Sequence, residues 1–145
     1  MNAHLAQNTP AATLLGREIL ADGEDGATRV RYFARPEFAN RHGTVQGGFV
    51  GAMLDSATSV ALLAQLPPEF TSVTAKLETS FLFPAPLGEL FATARIVSRD
   101  ERHANVEAQL ASPDGKVVAT AVARLRILPR TLRQAQGEGL VMPSC

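Results

Sequence analysis

From Gly47 to Leu66 the chain reads GGFVGAMLDSATSVALLAQL, an apolar run in which Asp55 is the one ionisable side chain. Its length and content predict a single long helix, ending near Pro67-Pro68 because proline cannot continue it. Upstream, Leu14 to Ala21 and Ala27 to Phe33 flank the turn-forming ADGEDG and predict an opening hairpin. Downstream the period changes to two. Val73, Ala75, Leu77, Phe81 and Phe83 fall on one face and Thr74, Lys76, Glu78 and Ser80 on the other, until Pro84 and Pro86 close the run. Three further strands are expected at about Leu87 to Ser98, Ala104 to Ala111 and Lys116 to Leu128, the last two joined by the turn Ser112-Pro113-Asp114-Gly115, as an antiparallel meander. A helix apolar on nearly every side must be enclosed by sheet, so the expected fold is α+β, a curved antiparallel sheet wrapped round one long central helix. One such sheet leaves edges to protect, and pairing with a second copy is expected.

Composition sets the boundaries of that picture. With 145 residues, 46% of them apolar, the chain can bury one core. Residues 14–128 are read as the domain, 1–13 as a mobile lead and 129–145, which lacks periodicity, as a loose tail. Acidic and basic residues balance at 14 each, leaving no long-range field to draw nucleic acid or an anionic membrane surface. The sole cysteine, Cys145, excludes an intramolecular disulfide and a cysteine-rich metal site, which suits a reducing cytosol. MNAHLAQNTPAATLLG lacks a basic n-region and a continuous apolar stretch, so a cytoplasmic protein is expected. The helix is about long enough to span a bilayer. Asp55 at its middle makes that costly and favours a buried helix in a soluble core.

Aspartate is a poor residue for a helix interior, and an unpaired buried charge is expensive. Asp55, Thr58 and Ser59 share one helical face and form a narrow polar stripe that would line a site. The bland alternative is a core polar group satisfied by backbone or neighbouring hydroxyls. Gly47-Gly48 stands at the helix start, where free N–H groups and the positive dipole end would hold an oxyanion and glycine admits a carbonyl closely. The same pair would also serve simply to turn the chain into the helix. Asp55 lies two turns on, roughly 12 Å by helical rise, so carboxylate and oxyanion site must meet around a substrate, with a partner subunit as the second wall.

The run Asn40-Arg41-His42-Gly43-Thr44-Val45-Gln46-Gly47-Gly48 followed by Leu54-Asp55-Ser56-Ala57 resembles the signature of the phenylacetate-pathway (PaaI-like) hotdog thioesterases. Thr74-Ala75-Lys76-Leu77, Phe81-Leu82-Phe83-Pro84-Ala85 and Leu87-Gly88-Glu89 resemble that family's strand after the helix, and the similarity extends from about Leu14 to Leu128. The resemblance implies a hotdog fold and an acyl-CoA substrate, with no metal and no cofactor beyond the CoA of the substrate itself. It implies Asp55 as catalytic nucleophile or base for water, the Gly47 amide as oxyanion donor, and Asn40 and Thr74 as supporting polar positions. It also implies a homo-oligomer, a dimer of dimers with each site shared across a subunit boundary. The family usually has histidine where this chain has Gln46, which can donate a hydrogen bond to a carbonyl but cannot carry a proton away. His42, four residues earlier, is not assigned that role.

Arg99, Arg102 and His103 fall at a predicted turn, where cations would hold CoA phosphates, or where they are ordinary solvated charges. The resemblance places CoA contacts in this region and around Phe83-Pro84. Gly48 and Ser59 complete the expected substrate-binding set. The leading function is hydrolysis of an aryl- or medium-chain acyl-CoA to acid and CoA. The alternative is a non-catalytic hotdog protein that binds or senses acyl-CoA. A hydratase of related fold generally needs a histidine paired with a carboxylate, which Gln46 disfavours. Aryl-acetyl, benzoyl and medium aliphatic groups all stay open, since the pocket depends on which of Phe49, Met53, Leu62 and Phe81 face the substrate.

Overall fold

In the computed structural model, which describes residues 8–20 and 25–130, the chain runs α1 (Pro10–Leu14), β1 (Glu18–Ile19), β2 (Thr28–Ala34), a 3-10 turn (Pro36–Phe38), α2 (Gly47–Leu63), β3 (Phe70–Phe81), β4 (Gly88–Arg99), β5 (His103–Ala111) and β6 (Val117–Pro129). All six strands join one antiparallel sheet in the order β1-β2-β4-β5-β6-β3. The sheet curves round α2, which packs against every strand from β2 to β6, the hotdog arrangement expected from the sequence. The inward positions of β5 and β6 are largely alanine, including Ala104, Ala119, Ala121 and Ala123, all buried. Small side chains let the helix sit close to the sheet, where Met53, Leu54 and Leu62 fill the space completely. Full burial of one such side chain is worth about 1.5–3 kcal/mol.

Strands β4, β5 and β6 form the expected meander within about a residue of the predicted bounds. β3 departs from it. It pairs with β6 and sits at the sheet edge, beside its neighbour by a crossover rather than in sequence order. No residue of β3 is fully buried, so its outer edge stands open. The opening hairpin is also shorter than expected. Its first arm keeps only Glu18–Ile19, because Leu15 ends α1 and Gly16, at φ 61°, turns the chain before pairing begins. Pro10–Leu14, which overlaps the end of the lead read as mobile, is a helix capped by the Thr9 hydroxyl, which accepts from the Ala12 amide at 3.1 Å. Residues 1–7 of that lead and 21–24 of the hairpin turn lie outside the described residues. At the other end Pro129 pairs with Phe70 as the last residue of β6, and 131–145 of the expected tail lie outside the described residues. α2 closes at Leu63, three residues earlier than the proline signal suggested, with Ala64 as its cap.

The strict alternation expected along β3 breaks at a bulge between Thr74 and Lys76. The extra residue, Ala75, moves the strand out of phase, so Thr74 and Leu77 both face α2 although they lie three apart. The sequence reading placed them on opposite faces.

Candidate active site

The loop before α2 is knitted by Asn40. Its Oδ1 accepts from the amides of His42 at 2.9 Å and Thr44 at 3.2 Å, and its Nδ2 donates to Thr44 Oγ1 at 3.0 Å. Gly43 supplies the left-handed turn at φ 77°. Two backbone bonds then aim the chain into the helix, Val45 N to Ala85 O at 2.9 Å and Gln46 N to Phe38 O at 2.8 Å. Phe38 stacks flat on Phe49, with ring centroids 4.0 Å apart. These contacts fix the start of α2, where no acceptor among the described residues meets the Gly47 and Gly48 amides. A side chain added at Gly47 would touch the Phe81 ring at 3.4 Å, so the Phe81 ring roofs this helix start from β3. Gly48 opens to free space.

Asp55 is half-buried on the helix, and its Oδ1 accepts a hydrogen bond from the Thr74 hydroxyl at 2.7 Å. The pairing of these two expected site residues is the bulge's doing. Ser59 lies half-buried one turn further on. Thr58 is fully buried, and its hydroxyl donates back to the Asp55 carbonyl at 2.9 Å, so it serves the helix backbone and does not line the stripe. Asn40 spends its hydrogen bonds on the loop. Gln46 caps the helix by its backbone only and leaves its side chain exposed.

Arg99, Arg102 and His103 come together, with Leu66, Phe70 and Arg126, around an open cavity of about 680 Å³ beyond the carboxyl end of α2. The Arg102 and His103 amides donate to Asp100 Oδ1 at 2.8 and 2.9 Å, and Arg99 reaches the Gln65 carbonyl at 3.4 Å. Those amides hold the Asp100 carboxyl below its ordinary pKa, the Arg102 amide most. Phe83 and Pro84 lie elsewhere, exposed beyond the far end of β3, with the Lys116 ammonium 3.9 Å from the centre of the Phe83 ring. The structure thus divides the expected substrate contacts between two ends of the molecule. Sequence reasoning missed Arg126 and Lys116, and it missed Tyr32, whose hydroxyl donates to Ser56 Oγ at 2.9 Å beneath the site. Of the acyl-pocket candidates Met53 and Leu62 are fully buried, Phe49 is half-buried and Phe81 is exposed. Among the described residues no three His, Cys, Asp or Glu side chains converge to hold a metal ion, and no helix is long and apolar enough to cross a membrane.

The sequence profile of the thioesterase superfamily matches residues 42–119, the span holding Gly47, Asp55 and Thr74. No curated protein sequence matches the chain. Among solved structures, a phenylacetic acid degradation-related protein from Ralstonia eutropha is 38% identical, over 86% of this chain and 97% of its own, with a TM-score of 0.78. A Bacillus halodurans protein solved with CoA is 27% identical, over 87% of this chain and 80% of its own, with a TM-score of 0.74. The PaaI protein of the E. coli phenylacetic acid degradation operon, at 23% identity over 90% of this chain and 93% of its own, shares the fold with a TM-score of 0.78. By its fold, its profile match and its 38% identity to the Ralstonia protein, this chain belongs to the thioesterase superfamily as a PaaI-like hotdog thioesterase, a class of thioester hydrolases.

Proposed function

We propose that the protein hydrolyses an aryl- or medium-chain acyl-CoA to the free acid and CoA in the cytoplasm. The observation that carries this reading is the Thr74 to Asp55 hydrogen bond, which fixes the only carboxylate of α2 at the helix surface. Asp55 either attacks the thioester carbonyl carbon, giving an anhydride that water then opens, or takes the proton of the attacking water. In both routes the carbonyl oxygen gains negative charge at the Gly47 amide, the C–S bond breaks, and the CoA thiolate leaves to be protonated. The CoA-bound Bacillus halodurans structure supports a CoA ester as substrate. Arg99 and Arg102 supply charge for its phosphates, with the His103 ring as a further hydrogen-bonding group.

Gly47 and Asp55 are roughly 12 Å apart along α2, too far to act on one carbonyl within one chain. The open edge of β3 supports a shared site. Asp55 sits against Thr74 and Gly47 against Phe81, at separate points along β3, so two copies paired antiparallel along this strand would carry each copy's Asp55 toward the other's Gly47. The exposed Phe81, Leu82 and Phe83 at that edge favour burial against another copy. We assign the active form as a homo-oligomer on these grounds.

The test is thiol release from a panel of aryl and aliphatic acyl-CoAs, with Asp55→Asn alongside. Release that vanishes in the variant upholds the mechanism, and wild-type turnover in the variant sinks it. Gln46, exposed and with no side-chain cap hydrogen bond, favours one other reading, an acyl-CoA binding protein without turnover. Tight binding by calorimetry with no thiol release over hours would select it.

A further inference from the structure

We propose that Tyr32 and Ser56 form a positioning pair that sets the rotation of α2 and, through it, the place of the Asp55 carboxylate. The proposal rests on the reading of Asp55 as the reacting group. α2 is buried over a wide arc, from Val50 and Met53 round to Thr58 and Leu62, with no sharp apolar stripe. Hydrophobic burial has no direction of its own, so close packing limits how far such a helix turns while polar contacts set its final rotation. Two contacts do so here, at consecutive residues. Successive side chains on a helix point about 100° apart, which sets Asp55 and Ser56, both half-buried, on either side of the helix's less buried face. Asp55 is tied on one side to Thr74 of β3, at one edge of the sheet, and Ser56 on the other to Tyr32 of β2, near the opposite edge.

The two ties are unequal. Thr74 sits exposed on an edge strand that buries nothing fully, whereas Tyr32 is completely buried in a strand paired on both sides. Tyr32 is therefore the fixed reference and Thr74 the adjustable partner. Burial pushes the Tyr32 hydroxyl far above its ordinary pKa, so it stays a neutral donor wherever the enzyme works. A carboxylate stands about 5 Å from the helix axis, so a turn of about 10° moves it nearly 1 Å. Misplacement on that scale can cost on the order of 100-fold in rate.

Steady-state thiol release from the best acyl-CoA decides the matter, using Tyr32→Phe, Ser56→Ala, the double variant, Asp55→Asn and, as a core variant away from this pair, Val106→Ala. Positioning predicts that each single variant lowers kcat about tenfold with KM within about twofold, and that the double variant is no worse than the poorer single. Val106→Ala should lower Tm and keep kcat. Wild-type kcat in both single variants beside an inactive Asp55→Asn overturns the positioning role alone. So does a kcat loss in Val106→Ala equal to theirs, since loss would then follow stability. Should Tyr32→Phe fail to fold, Ser56→Ala carries the same comparison. An active Asp55→Asn overturns this proposal together with the hydrolytic reading.

Discussion

Thr74 donates its hydroxyl to Asp55 Oδ1 at 2.7 Å across the gap between an edge strand and the central helix. The contact exists because the strand slips phase between Thr74 and Lys76, turning Thr74 inward on the side that Leu77 also faces. A carboxylate held by one neutral donor keeps its remaining lone pairs for water or substrate. Thr74→Val keeps the shape and removes the donor. It should lower kcat about tenfold, about 1.4 kcal/mol of barrier, while Thr74→Ser stays within about threefold of wild type. Equal turnover for Val and Ser, measured by thiol release, would show the hydroxyl idle.

Gly47 is the position where a single methyl group should separate folding from catalysis. Its added Cβ would meet only the end of the Phe81 ring, at 3.4 Å, and Phe81 is exposed and able to yield. Gly47→Ala should therefore fold with a Tm within a few degrees of wild type. With the Gly47 amide as the proposed oxyanion donor, a methyl beside it should hinder a carbonyl oxygen's approach, and loss of one oxyanion donor costs about 100- to 1,000-fold in kcat. Full activity in Gly47→Ala would remove the helix start from the mechanism.

How much of this was legible in sequence depends on how far each feature reaches. Strands β4 to β6 and helix α2 declare themselves through period and length, because half-buried strands alternate and a surrounded helix does not. Asp55 stood out for want of any other charge nearby. The bulge at Ala75 left no mark, since one extra residue in a strand of ordinary composition looks like more strand. Its absence from the reading put Thr74 on the wrong face relative to Leu77. The edge place of β3 and the link from Tyr32 to Ser56, 24 residues apart, are properties of the assembled sheet. Arg126 alternates outward on β6 with nothing in the local pattern to single it out, and only the fold sets it beside Arg102 and His103.

The cationic cavity gives a prediction that separates the CoA moiety from the acyl group. Arg102→Ala and Arg126→Ala should each raise KM for an acyl-CoA about three- to tenfold and leave kcat nearly unchanged, because phosphate contacts remote from the thioester bind ground and transition states alike. The same variants should hydrolyse a short acyl thioester without the nucleotide as well as wild type does. Raising salt should weaken the wild type toward the variants. A KM for acyl-CoA unmoved in both variants would place the phosphates elsewhere, and Lys116 beside Phe83 would be the next position to change.

Asp100 shapes the turn that presents two of those groups, and its charge makes the turn dependent on pH. The carboxylate accepts the Arg102 and His103 amides, and these bonds favour its ionised form, so the folded-state pKa lies below the ordinary value. A depressed carboxylate pKa means a contribution to stability that is complete above the unfolded value of about 3.9 and is lost as pH falls through the folded one. Asp100→Ala should accordingly melt below wild type at about pH 6, with the gap in Tm closing below about pH 4. Asp100→Asn retains an acceptor oxygen and no titrating group, so it should lie between them at about pH 6 and vary less than wild type in acid. The Ala variant should also raise KM for acyl-CoA, as Arg102 and His103 lose their fixed backbone. A Tm gap of constant size down to about pH 2 would show that the turn does not depend on the charge of Asp100.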